Sequence, residues 1–160
     1  MARIRSFNDS LPMLLLRARE TAMDYFRPSL YRHGLTEQQW RVLRALNESR
    51  SMTAAQLAAS CLILPPSMTR ILRAMTAAKL IRSRKQGDQR QRHVSLSERG
   101  RKLLACIGPE SERQYQLMRD RLPPEHLHSL YALLKEFVAL GAPTANHRDS
   151  RRRSRPGAQP

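Results

Sequence analysis

The stretch that decides the fold is residues 67–100, SMTRILRAMTAAKLIRSRKQGDQRQRHVSLSERG. It predicts a helix with one basic face, a hairpin that turns at Gly87-Asp88, and the start of a further helix. From Arg70 to Lys102 there are eleven Lys or Arg residues against two acids. Because so local an excess of positive charge suits a phosphate backbone, we predict a winged helix that binds DNA.

The first helix of this stretch separates into two faces when each residue is advanced by about 100°. With Arg70 as the reference, the face within roughly 60° of it is polar or small and comprises Pro66, Ser67, Arg73, Ala74 and Ala77. The opposite face is apolar and comprises Leu64, Met68, Ile71, Leu72 and Met75. After Lys79 the apolar period becomes two, which predicts strands over 80–85 and 93–97.

Two capping boxes precede this stretch, Thr36 with Gln39 and Thr53 with Gln56. Each predicts the start of a helix, because the threonine hydroxyl can accept a hydrogen bond from the amide three residues on. The helix that begins after Thr36 would turn three apolar side chains inward: Trp40, Leu43 and Leu46. The helix that begins after Thr53 is short, and with the helix of residue 67 it forms a helix-turn-helix.

The predicted fold is therefore mainly α with a small β wing, a winged helix-turn-helix with N- and C-terminal dimerisation helices. Its single domain, 1–141, has a DNA-binding part at about 36–100 and dimerisation helices at about 9–32 and 101–141. The C-terminal part contains a fifth helix that runs toward Leu122, with Gly108-Pro109 as a candidate interruption, and a sixth that starts at Pro123. Residues 142–160 have almost no large apolar side chain and predict a disordered basic tail.

Composition narrows the classes of function. The formal net charge of +16 over 160 residues favours a polyanionic partner, and a nonspecific architectural or RNA-binding protein remains an alternative. An aromatic fraction of 5% argues against base stacking on single strands. No run of residues reaches the roughly 18 apolar side chains of a membrane span. The chain has two cysteines, Cys61 and Cys106, and no secretory signal, which together predict the cytoplasm. We find no catalytic set, no metal-ligand spacing and no cofactor motif, so we do not expect an enzyme.

These motifs together resemble the MarR family of transcriptional regulators over residues 10–141. The matching segments are Leu35-Thr36-Glu37-Gln38-Gln39-Trp40, Ser67-Met68-Thr69-Arg70-Ile71-Leu72, Asp88-Gln89-Arg90 and Val94-Ser95-Leu96-Ser97. Within the family, the segments around Ala18-Arg19-Glu20 and Tyr25-Phe26-Arg27-Pro28 look most like regulators of homoprotocatechuate degradation operons. The resemblance implies a homodimeric repressor on a palindromic operator of double-stranded DNA, released by a phenolic acid such as 4-hydroxyphenylacetate or 3,4-dihydroxyphenylacetate. A hydroxycinnamate or another aromatic acid is the alternative effector.

The two faces of the helix of residue 67 and the family resemblance together indicate which residues bind DNA and which bind the effector. The predicted DNA-binding residues lie on the helix of residue 67 and on the wing: Ser67, Thr69, Arg70, Arg73, Arg84, Asp88, Arg90 and Arg92. A phenolic acid needs a cation for its carboxylate and an apolar slot for its ring. The predicted ligand residues are therefore Arg19 and Trp40 first, with Arg17, Met23, Tyr25 and His33 as further candidates.

Overall fold

The computed structural model describes residues 5–85 and 92–141. Its elements follow one another in the order α1 (Leu11–Arg32), α2 (Glu37–Ser49), β1 (Met52–Thr53), α3 (Ala54–Ser60), α4 (Pro65–Ala77), β2 (Ile81–Lys85), β3 (Arg92–Leu96), α5 (Glu98–Arg119) and α6 (Pro124–Ala139). The mainly helical fold with a small β wing is confirmed. The Gly87-Asp88 turn and the predicted tail at 142–160 lie outside the described residues.

Local signals determine where the helices begin. Both capping boxes are present: Thr36 Oγ1 accepts from the Gln39 amide at 3.2 Å, and Thr53 Oγ1 accepts from the Gln56 amide at 3.2 Å. In each box the glutamine side chain accepts in return from the threonine amide, at 2.9 and 2.8 Å. Two backbone amides that lack partners inside each helix are thereby satisfied, which typically stabilises a helix by about 1 kcal/mol.

The wing is a three-stranded antiparallel sheet in the order β1-β3-β2. Ile81 pairs with Leu96 and Arg84 with His93, so apolar side chains at the base point into the core while basic ones continue outward. The short strand β1 was not predicted from the sequence. It pairs Met52 with Val94, and this pairing ties the start of α3 to the wing.

One apolar core joins α2, α3, α4 and the base of the sheet, and α1 and α5 each contribute a buried residue to it. Its fully buried members are Leu30, Val42, Leu43, Leu46, Leu57, Met68, Met75 and Ile107. The predicted inward residues of α2 are confirmed as buried, together with Val42, which had not been predicted. In α4, Met68 and Met75 are buried as expected, but Leu64 was wrongly placed on the buried face because it precedes the helix as its N-cap and is 75% exposed.

The start of α5 packs closely on the junction between α4 and β2. Ser97 Oγ accepts from the Gly100 amide at 2.9 Å and donates to the Lys79 carbonyl at 2.6 Å. A Cβ at Gly100 would lie 2.1 Å from the carbonyl oxygen of Leu80, so a side chain has no room there. The close approach of two backbones explains the glycine at this position.

The predicted interruption of α5 at Gly108-Pro109 is wrong, because the helix runs without a break from Glu98 to Arg119 with Pro109 inside it. The helix also ends before Leu122. By their contacts the described residues form two units, one that ends at Leu117 and one that starts at Met118. In the second unit, α6 has no buried residue, and its apolar residues Leu133 and Val138 are 64% and 76% exposed.

Candidate functional site

The outer face of α4 presents the predicted polar and basic side chains to solvent. Ser67, Thr69, Arg70 and Arg73 are all exposed, and Met68 and Met75 fix the helix from beneath. The Thr69 hydroxyl donates to the Pro65 carbonyl at 3.1 Å, which is a local bond within the first turn. Pro66, Ala74 and Ala77 are the small neighbours on this face, so a groove of DNA could approach the arginines closely.

The wing adds a second basic surface. Arg82 and Arg84 on β2 and Arg92 on β3 are exposed, and the register places Arg84 opposite His93. Alternation along β2 turns Arg82 and Arg84 away from the face of the buried Ile81, whereas Arg92 lies on the same face of β3 as the buried Val94 and Leu96, at the outer end of the strand. Asp88 and Arg90, the predicted wing-tip residues, lie outside the described residues.

A cavity of about 170 Å³ lies between α1, α2 and α5. Its lining residues are Arg19, Met23, Phe26, Glu37, Trp40, Arg41, Arg44 and Tyr115. The rings of Phe26 and Tyr115 meet edge to face, 5.0 Å apart, and Trp40 is 8% exposed, so the cavity has an aromatic wall. With three arginines and one glutamate, the cavity suits a small aromatic anion.

Glu37 is the acid of this cavity and is held by two arginines of α1. Arg27 Nε donates to Glu37 Oε1 at 2.5 Å, and Arg19 donates to Glu37 Oε2. Partial burial opposes the ionisation of Glu37, but these two donors outweigh it and hold the pKa of the carboxyl below its ordinary value. Both arginines also pair with Glu20, so the guanidinium of Arg19 already has two carboxylate partners.

The other two cations of the cavity come from α2. Arg41 donates to the Cys61 carbonyl at 2.7 Å, while its buried Nε has no partner among the described residues. Arg44 has an ion pair with Glu48 at 3.9 Å, in which both side chains are largely exposed. Because so long a surface pair is weak, Arg44 and Arg41 are both cations that a new carboxylate could engage against little competition from other carboxylates.

Three of the six predicted ligand residues, Arg19, Met23 and Trp40, line this cavity together. Arg17 instead donates to the Asn8 side chain at 2.6 Å, and neither it nor Tyr25 lines the cavity. The cavity residues missed by sequence reasoning include Glu37 and Arg44. Helical spacing could have found them, because they lie three residues before and four residues after Trp40 on the same face of α2.

His33 lies in a different cluster, around Glu110 of α5. Glu110 Oε1 lies 3.1 Å from His33 Nε2, and Oε2 accepts from Arg32 at 2.8 Å and from the buried hydroxyl of Ser29. The bonds from Ser29, His33 and Arg32, in that order, lower the pKa of Glu110 to about 2. The cluster joins the end of α1 to α5 and is not part of the cavity.

No helix among the described residues is long and apolar enough to cross a bilayer.

Residues 33–92 match the family model described as MarR family. The chain is 44% identical over 135 residues to the homoprotocatechuate degradative operon repressor of Escherichia coli, an alignment that covers 84% of this chain and 91% of the repressor. It is 35% identical over 137 residues to the transcriptional regulator FarR of Neisseria gonorrhoeae, covering 85% and 94%.

Solved structures give the same fold. The transcriptional regulator PA4135 superposes with a TM-score of 0.79 at 42% identity, covering 83% of this chain and 98% of that one. NadR, crystallised in complex with 4-hydroxyphenylacetate, superposes with a TM-score of 0.75 at 34% identity, covering 82% and 96%. On the sequence identity and coverage of these relatives, the chain belongs to the MarR family of transcriptional regulators, with a winged-helix fold.

Proposed function

We propose that this protein is a repressor of an aromatic catabolic operon that releases its operator when a phenolic acid enters the cavity between α1, α2 and α5. The observation on which this rests is the cavity itself, where Trp40, Phe26 and Tyr115 stand beside two arginines of α2. Two similar proteins support the effector class: one represses a homoprotocatechuate degradative operon, and NadR binds 4-hydroxyphenylacetate. We propose no enzymatic activity.

The proposed pose places the effector's carboxylate on Arg44. Arg19, the residue first predicted for this role, already has Glu20 and Glu37 as partners, and Arg41 donates to the Cys61 carbonyl. Within the described residues, Arg44 has one long ion pair, with Glu48, and its half-exposed side chain is the easiest of the three to redirect. A charge-assisted bond to a carboxylate contributes about 1.5 to 3 kcal/mol. Loss of Arg44 should therefore weaken effector binding by about tenfold or more.

At the other end of the cavity, the Glu37 carboxylate would accept a hydrogen bond from the effector's phenolic hydroxyl. Its lowered pKa keeps the carboxyl ionised at neutral pH, and an ionised carboxylate only accepts hydrogen bonds. The pocket should therefore prefer a ring with a hydroxyl donor over an unsubstituted phenyl ring. This pose spans the aromatic wall between Arg44 and Glu37, one on each side of Trp40 along α2.

For DNA, we propose that the outer face of α4 enters the major groove and that the wing contacts the flanking backbone and minor groove. Arg70 and Arg73 can read guanine, Ser67 and Thr69 can reach a phosphate or base edge, and Arg84 and Arg92 can neutralise phosphates. Asp88 and Arg90, which lie outside the described residues, stay predicted DNA-binding residues.

A homodimer is proposed because apolar side chains stay exposed on both terminal helices. In α1, Leu11, Leu14 and Leu16 are about half exposed, and α6 has no buried residue. A second copy would cover such surfaces, and two-fold symmetry would give an operator with half-sites about 10 bp apart, centre to centre. The effector then acts only through its higher affinity for the DNA-free state.

The single tryptophan of the chain makes the test direct, because intrinsic fluorescence reports on Trp40 in the cavity wall. We expect 4-hydroxyphenylacetate and 3,4-dihydroxyphenylacetate to change this fluorescence and to release the operator, and phenylacetate to bind more weakly. Arg44→Ala should lose effector binding and keep operator affinity. The matched control is Arg50→Ala, which removes an exposed arginine at the end of α2 outside the cavity.

Other outcomes separate the alternatives. Tighter binding of a hydroxycinnamate than of either hydroxyphenylacetate would identify a hydroxycinnamate as the effector that binds in this cavity. If Arg19→Ala loses effector binding and Arg44→Ala does not, Arg19 and not Arg44 binds the effector's carboxylate. Equal affinity for unrelated duplexes, with no response to any aromatic acid, would instead favour a nonspecific architectural protein.

A further inference from the structure

The turn between α3 and α4 contains two leucines at positions where local physics favours other residues. Leu62 has a φ of +51°, a left-handed conformation that glycine adopts at the end of a helix without strain. Leu64 is the N-cap of α4 and makes no side-chain cap bond, where serine, threonine or aspartate would. Leu62 and Leu64 are 88% and 75% exposed, so burial in the core does not explain either of them.

The backbone of this turn is well determined without those side chains. The Cys61 amide donates to the Leu57 carbonyl at 2.9 Å, and the Ile63 amide donates to the Ala58 carbonyl at 2.9 Å. Ile63, between the two leucines, is partly buried against the core. The fold therefore requires the shape of the turn and one inward side chain, and it leaves the outward side chains free for another use.

Both leucines line a groove of about 550 Å³ that they share with the outer face of α4. Ser67, Arg70 and Ala74 form the α4 side of this groove, and Gln38 and Gln39 of α2 form another part. Arg41 and Arg70 are its charged lining residues, and no acid lines it. The groove is thus positively charged, apolar at one end, and continuous with the surface proposed to enter the DNA.

We infer that Leu62 and Leu64 are specificity-determining residues that contact thymine methyl groups of the operator. The C5-methyl of thymine is the apolar group that a base pair presents in the major groove, and exposed apolar side chains at the start of a recognition helix are positioned to meet it. The positive charge beside them suits the flanking phosphates. This inference rests on the proposed entry of the α4 face into the major groove.

The test uses the duplex that the wild-type dimer selects from a random pool, with each half-site thymine replaced in turn by deoxyuridine, which removes only the methyl. For a contacted methyl, wild type should lose about fourfold in affinity. Leu62→Gly and Leu64→Ser should bind the thymine duplex more weakly and respond less than twofold to the uracil that matters to wild type. Leu62→Met and Leu64→Met, which remain apolar, should keep the sensitivity.

Stability provides the second readout, because the two variants install residues that the local backbone favours. Their melting temperatures should stay level or rise by about 2 to 4 °C, so weaker binding cannot be assigned to unfolding. Equal uracil sensitivity in wild type and in both variants would overturn the inference, and so would a selected site without thymine. If that happens while Arg70→Ala still loses operator affinity, only the role of the leucines fails; if Arg70→Ala binds normally, the proposed α4 interface fails with it.

Discussion

The closest backbone approach among the glycines that the structure describes, at Gly100, yields a sharp test of how the wing is held. A Cβ added there would lie 2.1 Å from the Leu80 carbonyl oxygen and 3.1 Å from its carbonyl carbon, and both atoms belong to backbone. Gly100→Ala must therefore displace either the first turn of α5 or the junction between α4 and β2. The same carbonyl accepts from the Ser97 amide at 3.0 Å, and that bond would be strained or lost.

Three contributions determine how far Gly100→Ala lowers the free energy of unfolding. Overpacking against rigid backbone costs about 1 to 3 kcal/mol, and the weakened hydrogen bond costs about 0.5 to 1.5 kcal/mol. The higher helix propensity of alanine returns at most about 1 kcal/mol. The free energy of unfolding should therefore fall by about 2 kcal/mol, which lowers the urea midpoint by about 1 M for a slope near 2 kcal/mol/M.

Urea unfolding followed by circular dichroism, at one protein concentration, measures this change. The matched control is Gly108→Ala in the same helix, where an added Cβ meets nothing within 4 Å. Its midpoint should stay level or rise. Operator affinity should fall for Gly100→Ala even without urea, since the Leu80 junction connects α4 to the wing. A Gly100→Ala midpoint within about 0.2 M of wild type would refute the reasoning.

Three further predictions concern the core, the α1–α5 junction and the DNA-binding face. Met75→Ala, at a fully buried position, should lower the free energy of unfolding by about 2 to 5 kcal/mol; thermal unfolding measures it, and a smaller loss would mean that the core collapses around the gap. The pKa of Glu110 is lowered to about 2, so its contribution to stability is present above the ordinary value of 4.5 and is lost as the pH falls toward 2. Glu110→Gln should thus be less stable than wild type at pH 7, with a difference that narrows below pH 4.5; a pH-independent difference would contradict this. Arg70→Ala should cost about 1 to 3 kcal/mol on the operator and relax the preference at one base pair, whereas a uniform loss on all duplexes would make Arg70 a phosphate contact.

The sequence alone predicted the features that depend on neighbours along the chain. The capping boxes at Thr36 and Thr53, the two faces of α4 and the alternation of the wing strands all follow from spacings of a few residues. A helix start or an amphipathic face is determined by such local geometry. Apart from the placement of Leu64, these predictions are confirmed, and with the family resemblance they were enough to identify the fold.

The tertiary structure decided which distant residues meet. Trp40 and Tyr115 line one cavity although 75 positions separate them along the chain, and Arg19 pairs with Glu37 of another helix. No sequence period encodes such contacts, because they depend on how helices pack. The structure also carries α5 through Pro109, against what local propensity predicts, and leaves Leu64 exposed as the N-cap of α4. The sequence thus determined the elements and the charge of the outer face of α4, whereas helix packing decided the cavity and the ion pairs around it.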